Sequence, residues 1–370
     1  AKTNTGGNAM ADYLEEIPPH KFFTIKSANE WMAEAKMLPP QKKLIGTLFF
    51  ENETSILFGE TNSGKSIAAV QFADCISRGK AFGPLENTAG PQVVVYFDFE
   101  LTQRQFSIRY TDETGCEYVW SNNFNRVEID PDADYPEGDY CQYICDEIEQ
   151  VMLKAGAKVG IIDNITFLND ELEKSKGALP LMKQLKIIKR RHDFSFLILA
   201  HTPKRNASRP LTKNDLHGSM MIMNFVDSAF AIGNSRQGPN VRYIKQIKAR
   251  NSAIDYGRDS VLVCHIEKPT NFLRFTIVGT SRETEHLETD NPMAREELLE
   301  TIKTLYSDGE SHREIASEVG VSHTTVGRIV REMISKGELK KRGNGTHRHV
   351  AKSPHVPCVP SGPYEDEELE

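Results

Sequence analysis

The sequence has no long apolar run and few cysteines. No uninterrupted apolar stretch approaches the roughly 18 residues that a membrane-spanning helix requires, so we expect no membrane partner. The stretch Ala1–Gly7 lacks the apolar core of a secretory signal. The six cysteines are scattered, and only Cys141 and Cys145 lie one helical turn apart, without the two further ligands that a structural metal site needs. These absences predict reduced thiols and a cytoplasmic protein.

The charge balance is mildly acidic. A net charge of −7, with 39% hydrophobic and 26% charged residues, is typical of an ordinary globular protein. Since the whole chain is acidic, any surface for nucleic acid has to be local. A length of 370 residues allows two or three domains of about 100–200 residues each.

The most specific motif matches the pattern G-x-x-x-x-G-K-[ST] at every fixed position. It consists of Gly59, Glu60, Thr61, Asn62, Ser63, Gly64, Lys65 and Ser66. A strand-like run precedes it and a helix-like run follows it, which is the context that this phosphate-binding loop requires. Backbone N–H groups and the helix N-terminus of such a loop hold the phosphates of ATP. We expect Lys65 to reach the β- and γ-phosphates and Ser66 to hold Mg²⁺.

An apolar run that ends in an aspartate supplies a second part of a nucleotide site. This run is Val159–Asp163. Downstream of a phosphate-binding loop, Asp163 is placed to orient the hydration shell of Mg²⁺. The alternative is a buried strand whose aspartate merely begins the next turn.

Two carboxylates follow a third apolar run. Asp98 and Glu100 end the run 93–97 and share one strand face, because side chains alternate along a strand. A carboxylate near the γ-phosphate can orient or deprotonate the attacking water. The residues alone leave open which of the two does so and which caps the following turn.

Strand-like and helix-like runs alternate between residues 46 and 280. The early strands are almost continuously apolar, as expected when both faces are covered, and helices fit at Cys141–Ala155 and Leu179–Arg191. The later strands follow one another without helices, which favours an antiparallel extension. We predict a doubly wound, mostly parallel α/β sheet. Its strands are Ser55–Phe58, Val93–Phe97, Val159–Asp163, Phe196–Ala200, Ser228–Ile232, Val241–Ile247, Val261–Ile266 and Arg274–Val278.

Taken together, these motifs resemble the RecA-like P-loop ATPases over residues 46–280. In that family the catalytic glutamate ends the strand after the P-loop helix, which implies Glu100, and Asp163 is accordingly followed by Asn164 rather than by a glutamate. His201 ends the run 196–200, where RecA-like helicases carry a Gln or His that senses the γ-phosphate. The histidine variant is seen in RepA-type plasmid helicases. A satisfied loop or core histidine is the alternative.

The segment Lys245–Asn251 resembles the Lys-x-Arg-Asn segment of DnaB-like and RepA-like hexameric helicases. The resemblance implies that Lys248 and Arg250 reach the nucleotide site of a neighbouring subunit, where they would stabilise transition-state charge. It also implies a homo-oligomer, a hexamer in these families, whose active sites are shared between subunits. Two solvated cations on an edge strand are the alternative.

The loop 202–214 follows the strand that carries His201. It contains no acid and four cations, which are Lys204, Arg205, Arg209 and Lys213. In RecA-like rings a loop at this place faces the central channel, and mobile cations suit contact with the phosphates of single-stranded DNA. The loop lacks an aromatic residue, so base stacking is not supported. A solvated surface loop is the alternative.

The C-terminal part resembles a winged helix-turn-helix. Helices are predicted at 295–306, 311–319 and 322–334, and the run 338–349 resembles a wing with an Asn-Gly turn. Residues 320–352 hold eight Lys or Arg and two acids, a net charge of +6. A domain that contacts only protein is the alternative. We expect base contacts from His323, Thr324, Thr325 and Arg328, and phosphate contacts from Lys340, Lys341, Arg342 and Arg348.

The predicted organisation has five parts. They are an arm with a short helix (1–45), a RecA-like ATPase domain (46–280), a linker (281–291), a small α+β winged-helix domain (292–352) and a disordered acidic tail (353–370). We predict an ATP- and Mg²⁺-dependent DNA helicase or translocase of the replicative, plasmid or mobile-element type, with single-stranded DNA in a ring and duplex DNA at the winged helix. The alternative is an ATP-switched DNA-binding regulator or loader that does not unwind DNA.

Overall fold

A computed structural model of the chain describes residues 23–130, 132, 139–165, 179–203, 205–216, 219–288, 292–319 and 321–341. The chain forms two compact units, one that ends at residue 288 and one that follows it. No helix in these ranges is long and apolar enough to cross a membrane. The predictions for Lys204, Arg342 and Arg348, for most of the wing and for the tail lie outside the described residues.

The first unit is built on β-strands. They are β1 (Lys43–Ile45), β2 (Phe49–Phe50), β3 (Thr54–Gly59), β4 (Val94–Asp98), β5 (Phe124–Val127), β6 (Val159–Asp163), β7 (Ser195–His201), β8 (Ser228–Asn234), β9 (Val241–Lys248), β10 (Val261–Glu267) and β11 (Arg274–Ser281). Nine of them form one sheet in the order β11-β10-β9-β8-β3-β7-β6-β4-β5, while β1 pairs with β2.

The sheet is parallel from β8 to β5 in this order, and β9, β10 and β11 extend it in antiparallel fashion. The predicted fold class and the predicted antiparallel extension are therefore confirmed. Because the carboxyl ends of parallel strands meet at one edge, the segments after β3, β4, β6 and β7 come together there.

Helices cover both faces of the sheet. Ile56 and Phe58 pack with the helices Tyr140–Lys154 and Leu179–His192 on one face, and Leu57 between them packs with the helix Lys65–Arg78 on the other. All three residues are fully buried, which explains the unbroken apolar runs. The helices are α1 (Ala28–Met37), α2 (Lys65–Arg78), α3 (Gln103–Arg109), α4 (Tyr140–Lys154), α5 (Leu179–His192) and α6 (Ser219–Phe225).

Two elements near the sheet edge are not anticipated by the sequence pattern. The edge strand β5 is only half-buried along its four residues. The helix α3 has seven residues and buries none of them; it begins at a capping box in which Thr102 accepts a hydrogen bond from the Gln105 N–H at 3.3 Å. Elements this short and this exposed carry too little hydrophobic periodicity to be recognised.

The segment after β11 is packed rather than free. The sequence predicts a linker from residue 281, yet Glu283 and His286 are buried. Lys245 Nζ donates to Glu283 Oε2 at 2.5 Å, and the Leu211 N–H donates to Oε1 at 2.7 Å. An acidic, aperiodic stretch looks solvated in sequence, and only tertiary structure supplies the buried lysine that pairs with it.

The second unit is helical. It contains α7 (Pro292–Ser307), α8 (His312–Val319) and α9 (His323–Ser335). A capping box begins α8, since the Glu314 N–H donates to Ser311 Oγ at 3.3 Å and the Ser311 N–H donates to Glu314 Oε2 at 2.8 Å. Its core comprises Ile302, Tyr306, Ile315, Val326, Ile329, Val330 and Met333.

Candidate nucleotide-binding and DNA-binding sites

The P-loop lies at the carboxyl edge of the sheet, between β3 and α2. Arg242 on β9 holds the outside of the loop, because its Nε donates to the Ser63 carbonyl at 3.2 Å. Gly64 has φ of +93°, and a Cβ there would lie 2.8 Å from Ile266 Cδ1. Glycine alone suits this position, so α2 can begin at Lys65 with its N-terminus at the loop.

Lys65 is buried in the loop. Its Nζ donates to the carbonyls of Gly59 at 3.0 Å and Glu60 at 2.9 Å. Burial lowers the pKa of the ammonium, and the charges of Asp163 and Glu100 oppose that shift. A lysine held in this way is a point charge ready for phosphate oxygens.

Asp163 at the end of β6 has a chemistry that fits Mg²⁺. The carboxylate is 1% exposed and accepts a hydrogen bond from the Tyr96 hydroxyl at 2.5 Å. Burial raises the pKa of Asp163 to about 6, although hydrogen bonds from Ser66 and Tyr96 oppose the rise. A carboxylate and a hydroxyl are the hard oxygen donors that Mg²⁺ prefers, and a bound cation would offset the cost of the buried charge.

Four side chains meet beside the P-loop, each delivered by a different strand. His201, at the end of β7, has its Nδ1 3.3 Å from Lys65 Nζ and its Nε2 3.1 Å from Glu100 Oε1. Asn164, which follows β6, donates from Nδ2 to Glu100 Oε1 and lies 3.0 Å from His201 Nε2. The structure thus brings together Glu100, Lys65 and His201 and adds Asn164, which the sequence named only as the residue after Asp163.

His201 lies between a donor and an acceptor. The Lys65 ammonium can only donate and the Glu100 carboxylate can only accept, so the tautomer that fits both contacts accepts at Nδ1 and donates from Nε2. The hydrogen bond from His201 is the largest cause that lowers the pKa of Glu100; burial opposes it, and nearby charges, among them those of Lys65 and Arg109, lower the pKa further. Glu100 therefore stays ionised at neutral pH, as a carboxylate that accepts a proton from water must be.

Asp98 has a structural role in this geometry. Its Oδ1 accepts from the N–H groups of Glu100 at 3.2 Å and Leu101 at 2.9 Å, and its Oδ2 accepts from Arg126 Nε at 2.8 Å. Both oxygens of Asp98 are thus engaged, one by the turn after β4, which presents Glu100, and the other by Arg126 on β5. Of the two carboxylates that the sequence left open, the geometry leaves Glu100 for chemistry.

Arg109 at the end of α3 is a functional candidate that sequence reasoning missed. Its charge lowers the pKa of Glu100, and its Nη1 is buried without a hydrogen-bond partner among the described residues. A buried, unsatisfied guanidinium nitrogen near Glu100 suits an anionic ligand. The available signal was a cation in the last turn of a short helix, which is common for reasons of the helix dipole alone.

Lys248 and Arg250 lie on the side of the sheet where the parallel strands begin, opposite the P-loop. Lys248 Nζ donates to the carbonyls of Met223 at 2.7 Å and Val226 at 2.8 Å, at the end of α6. Arg250 is 48% exposed, and its Nη1 donates to Asp227 Oδ1 at 3.1 Å. Lys248 is thus engaged in holding a helix end, whereas Arg250 faces solvent.

The loop after β7 is only partly available to a ligand. Arg205 has a 10% exposed side chain; it pairs with Asp215 at 3.3 Å and also donates to the Arg209 carbonyl. Arg209 and Lys213 are exposed. The end of the loop is anchored at Leu211, so these two cations sit on a segment with a defined position.

The predicted base-reading residues lie at the start of α9. Ser322 accepts from the Thr325 N–H at 3.1 Å and lies 2.8 Å from the hydroxyls of Thr324 and Thr325. His323 and Arg328 are exposed, and Arg328 lies 3.6 Å from Glu332. Lys340 and Lys341 are exposed as well. The two threonines serve the helix cap, which leaves His323 and Arg328 as the freer side chains.

The sequence matches the family described as AAA domain over residues 23–207, which is half of the chain, and the family described as helix-turn-helix domain over residues 297–332. Among solved structures, the chain is similar to a KaiC-like protein from the hyperthermophilic archaeon Pyrococcus horikoshii OT3. That match has 15% sequence identity and a TM-score of 0.43, and it covers 64% of this chain and all of the other. No curated protein matches the sequence.

Proposed function

Because the chain belongs to the AAA domain family, we propose that it is an ATP-hydrolysing DNA helicase or translocase. It acts as a ring with active sites shared between subunits, and its helix-turn-helix unit docks on duplex DNA. The observation that carries the proposal is the contact of Lys65, His201 and Glu100 beside the P-loop.

Each residue has a chemical role in this proposal. The loop 59–66 and Lys65 bind the phosphates of ATP, and Ser66 and Asp163 hold Mg²⁺, which supplies positive charge to the phosphates when bound. Glu100 accepts a proton from the attacking water. His201 joins Lys65, which touches phosphate, to Glu100, so the position of the carboxylate depends on what occupies the site.

Arg250 lies far from the P-loop of its own chain. Arg250 binds Asp227, which accepts from the N–H of Thr54, the first residue of β3, at 3.0 Å. The P-loop follows the last residue of β3, about 15–20 Å away at the rise of a strand. This separation supports a role for Arg250 in the site of a neighbouring subunit.

The helix α1 supports assembly with further copies. It buries none of its residues within the described chain, and Trp31, Met32 and Leu38 are 48%, 60% and 71% exposed. An isolated helix of ten residues is marginal in water, so the apolar side chains require a partner for stability. A homo-oligomer provides one for every copy.

A strand-displacement assay on a forked DNA duplex with ATP and Mg²⁺ tests the proposal. We expect unwinding by the native protein and a loss of hydrolysis of about 10²–10⁴-fold in Glu100→Gln. Glu113→Gln, which neutralises an exposed acid, is the matched control and should behave as the native protein. DNA-stimulated hydrolysis without any strand separation would refute the motor.

The helix-turn-helix unit favours a second candidate, a DNA-binding regulator or loader that ATP switches. This candidate predicts sequence-selective duplex binding that changes with nucleotide and is lost when residues 292–370 are removed, while basal hydrolysis persists. Electron microscopy with a non-hydrolysable nucleotide separates the candidates further, since the motor requires a closed ring.

A further inference from the structure

The helix α5 carries more positive charge than its contacts explain. Its fourteen residues include three lysines, two arginines and a histidine but no acid. Lys189 pairs with Asp227 at 2.8 Å, and Arg191 and His192 both pair with Glu149. These three also lie in the last turn, where cations stabilise the helix dipole.

The remaining cations form one face, which we call the α5 basic face and define as Lys183, Lys186 and Arg190. Their spacing of three and four residues places them on one side of the helix, over about 10 Å. Lys183 and Arg190 are exposed and form no ion pair with any residue that the structure describes. Lys183 and Lys186 lie outside the last turn, so the helix dipole does not account for them.

The surroundings of this face are cationic as well. Lys186 lies 5.8 Å from the ring of Phe225, the last residue of α6. Burial and then the charge of Arg250 lower the pKa of Lys248, the charge of Asp227 raises it, and the charge of Lys186 lowers it further. Asp227 already pairs with both Lys189 and Arg250, so it does not neutralise the cations of the α5 basic face.

The α5 basic face also continues the surface of the loop after β7. The helix α6 packs against α5 and against the short 3₁₀ helix Lys213–Asp215 of that loop. Exposed cations therefore run from Arg209 and Lys213 past α6 to α5 on one face of the sheet. A row of cations suits a phosphate backbone and reads no sequence.

We propose that Lys183, Lys186 and Arg190 bind the phosphate backbone of single-stranded DNA, as an extension of the contact made by the loop after β7. A protein partner fits this face less well, because Ile187 is the single exposed large apolar side chain of α5 among the described residues, and a stable protein interface needs an apolar centre. The inference rests on the proposed action on DNA.

The test is the salt dependence of binding to a fluorescein-labelled oligo(dT), measured by anisotropy with the full chain and a non-hydrolysable ATP analogue. The triple variant Lys183→Gln, Lys186→Gln, Arg190→Gln should bind more weakly at low salt. Its slope of log affinity against log salt should fall by about 2, at about 0.7 for each phosphate contact. The control triple Lys80→Gln, Arg104→Gln, Arg258→Gln removes the same charge from exposed positions on other elements.

The outcomes are separable. If the native protein binds oligo(dT) and the α5 variant keeps the native slope, the inference is overturned while the proposed function stands. An equal loss in both triples also overturns it, because the effect is then one of net charge. Loss of the oligomer in size-exclusion chromatography by the α5 variant alone makes the face a subunit contact. Absence of oligo(dT) binding by the native protein removes the DNA-acting proposal itself.

Discussion

The Nε2 atom of His201 lies 3.1 Å from Oε1 of Glu100. The other ring nitrogen of His201 accepts from Lys65, so one neutral imidazole joins the phosphate-binding lysine to the carboxylate. Any ligand that draws Lys65 away changes the hydrogen bonding of the imidazole and hence its hydrogen bond to Glu100. The predictions below follow from this arrangement and its supports.

His201→Gln should retain much more activity than His201→Ala. Glutamine can accept from Lys65 and donate to Glu100 with one amide group, whereas alanine leaves both unpaired. We expect His201→Ala to lower kcat by at least about tenfold with little change in nucleotide affinity, since a lost positioning contact acts on the transition state. Equal activity of the two variants, measured by steady-state phosphate release, would contradict the role.

Arg109→Gln should move the acid limb of the pH–rate profile to higher pH. The Arg109 charge helps to lower the pKa of Glu100, so its removal lets the carboxylate protonate earlier as the pH falls. The matched control is Arg104→Gln, an exposed cation on the same helix. If the acid limb of the pH profile of kcat/KM stays at the same pH in Arg109→Gln, Arg109 acts only in packing.

Asp163→Asn should stabilise the nucleotide-free protein while it abolishes hydrolysis. The pKa of Asp163 is raised from 3.8 in the unfolded chain to about 6 in the folded protein, so the folded state binds the proton more tightly. Stability therefore falls as the pH rises between these values, by about 3 kcal/mol in total. Asparagine keeps the acceptor for Tyr96 and removes this cost.

Thermal unfolding without nucleotide checks the direction of this change in stability. Asp163→Asn should raise the unfolding midpoint by a few degrees at pH 8, and the gain should vanish near pH 4. The same change at Asp98 is the control with the opposite expected sign, because it removes the buried Asp98–Arg126 ion pair and leaves Arg126 paired only with the more exposed Glu128. A lower midpoint for Asp163→Asn at pH 8 would contradict the argument.

Arg250→Ala should lower turnover, whereas Lys248→Ala should lower stability. If Arg250 acts in the site of a neighbouring subunit as proposed, Arg250→Ala should spare stability and ATP binding and lower turnover by about 10³-fold or more, which is what an arginine finger contributes. Lys248→Ala should lower the free energy of unfolding by about 1–3 kcal/mol, since two carbonyls at the end of α6 lose their donor.

Mixing tests whether Arg250 acts in trans. Subunits with Arg250→Ala and subunits with Glu100→Gln are each inactive alone, and their mixture should regain hydrolysis at the interfaces that pair two intact halves. A mixture that remains inactive, despite co-assembly shown by differently labelled subunits, argues for a site within one chain.

Lys245→Met should be strongly destabilising, and a second change should rescue it. The Lys245–Glu283 pair is almost fully buried, and removal of one partner leaves an uncompensated charge that costs about 3–5 kcal/mol. Adding Glu283→Gln removes that charge and keeps the acceptor for the Leu211 N–H. Urea denaturation measures both, with Arg274→Gln in an exposed pair as the neutral control.

The sequence predicts the fold class and most strands because local patterns carry that information. The run Val159–Asp163 is apolar up to its final aspartate, and the structure has a buried strand with the same bounds. The P-loop is equally local, since its glycines and its lysine are required by the backbone conformation. The short elements β5 and α3 are not predicted from the sequence, because few residues define them.

The sequence by itself determined the P-loop, the carboxylates that end β4 and β6, and the helix-turn-helix, each a feature of consecutive residues. Only the tertiary structure decided that Asp98 caps a turn while Glu100 faces His201, that Lys248 holds a helix end while Arg250 is exposed, and that Glu283 is buried. The physical reason is that the role of a charged side chain depends on its partners, and those partners are distant in sequence. Arg126, which binds Asp98, is 28 residues away from it, and His201, which contacts Glu100, is 101 residues away.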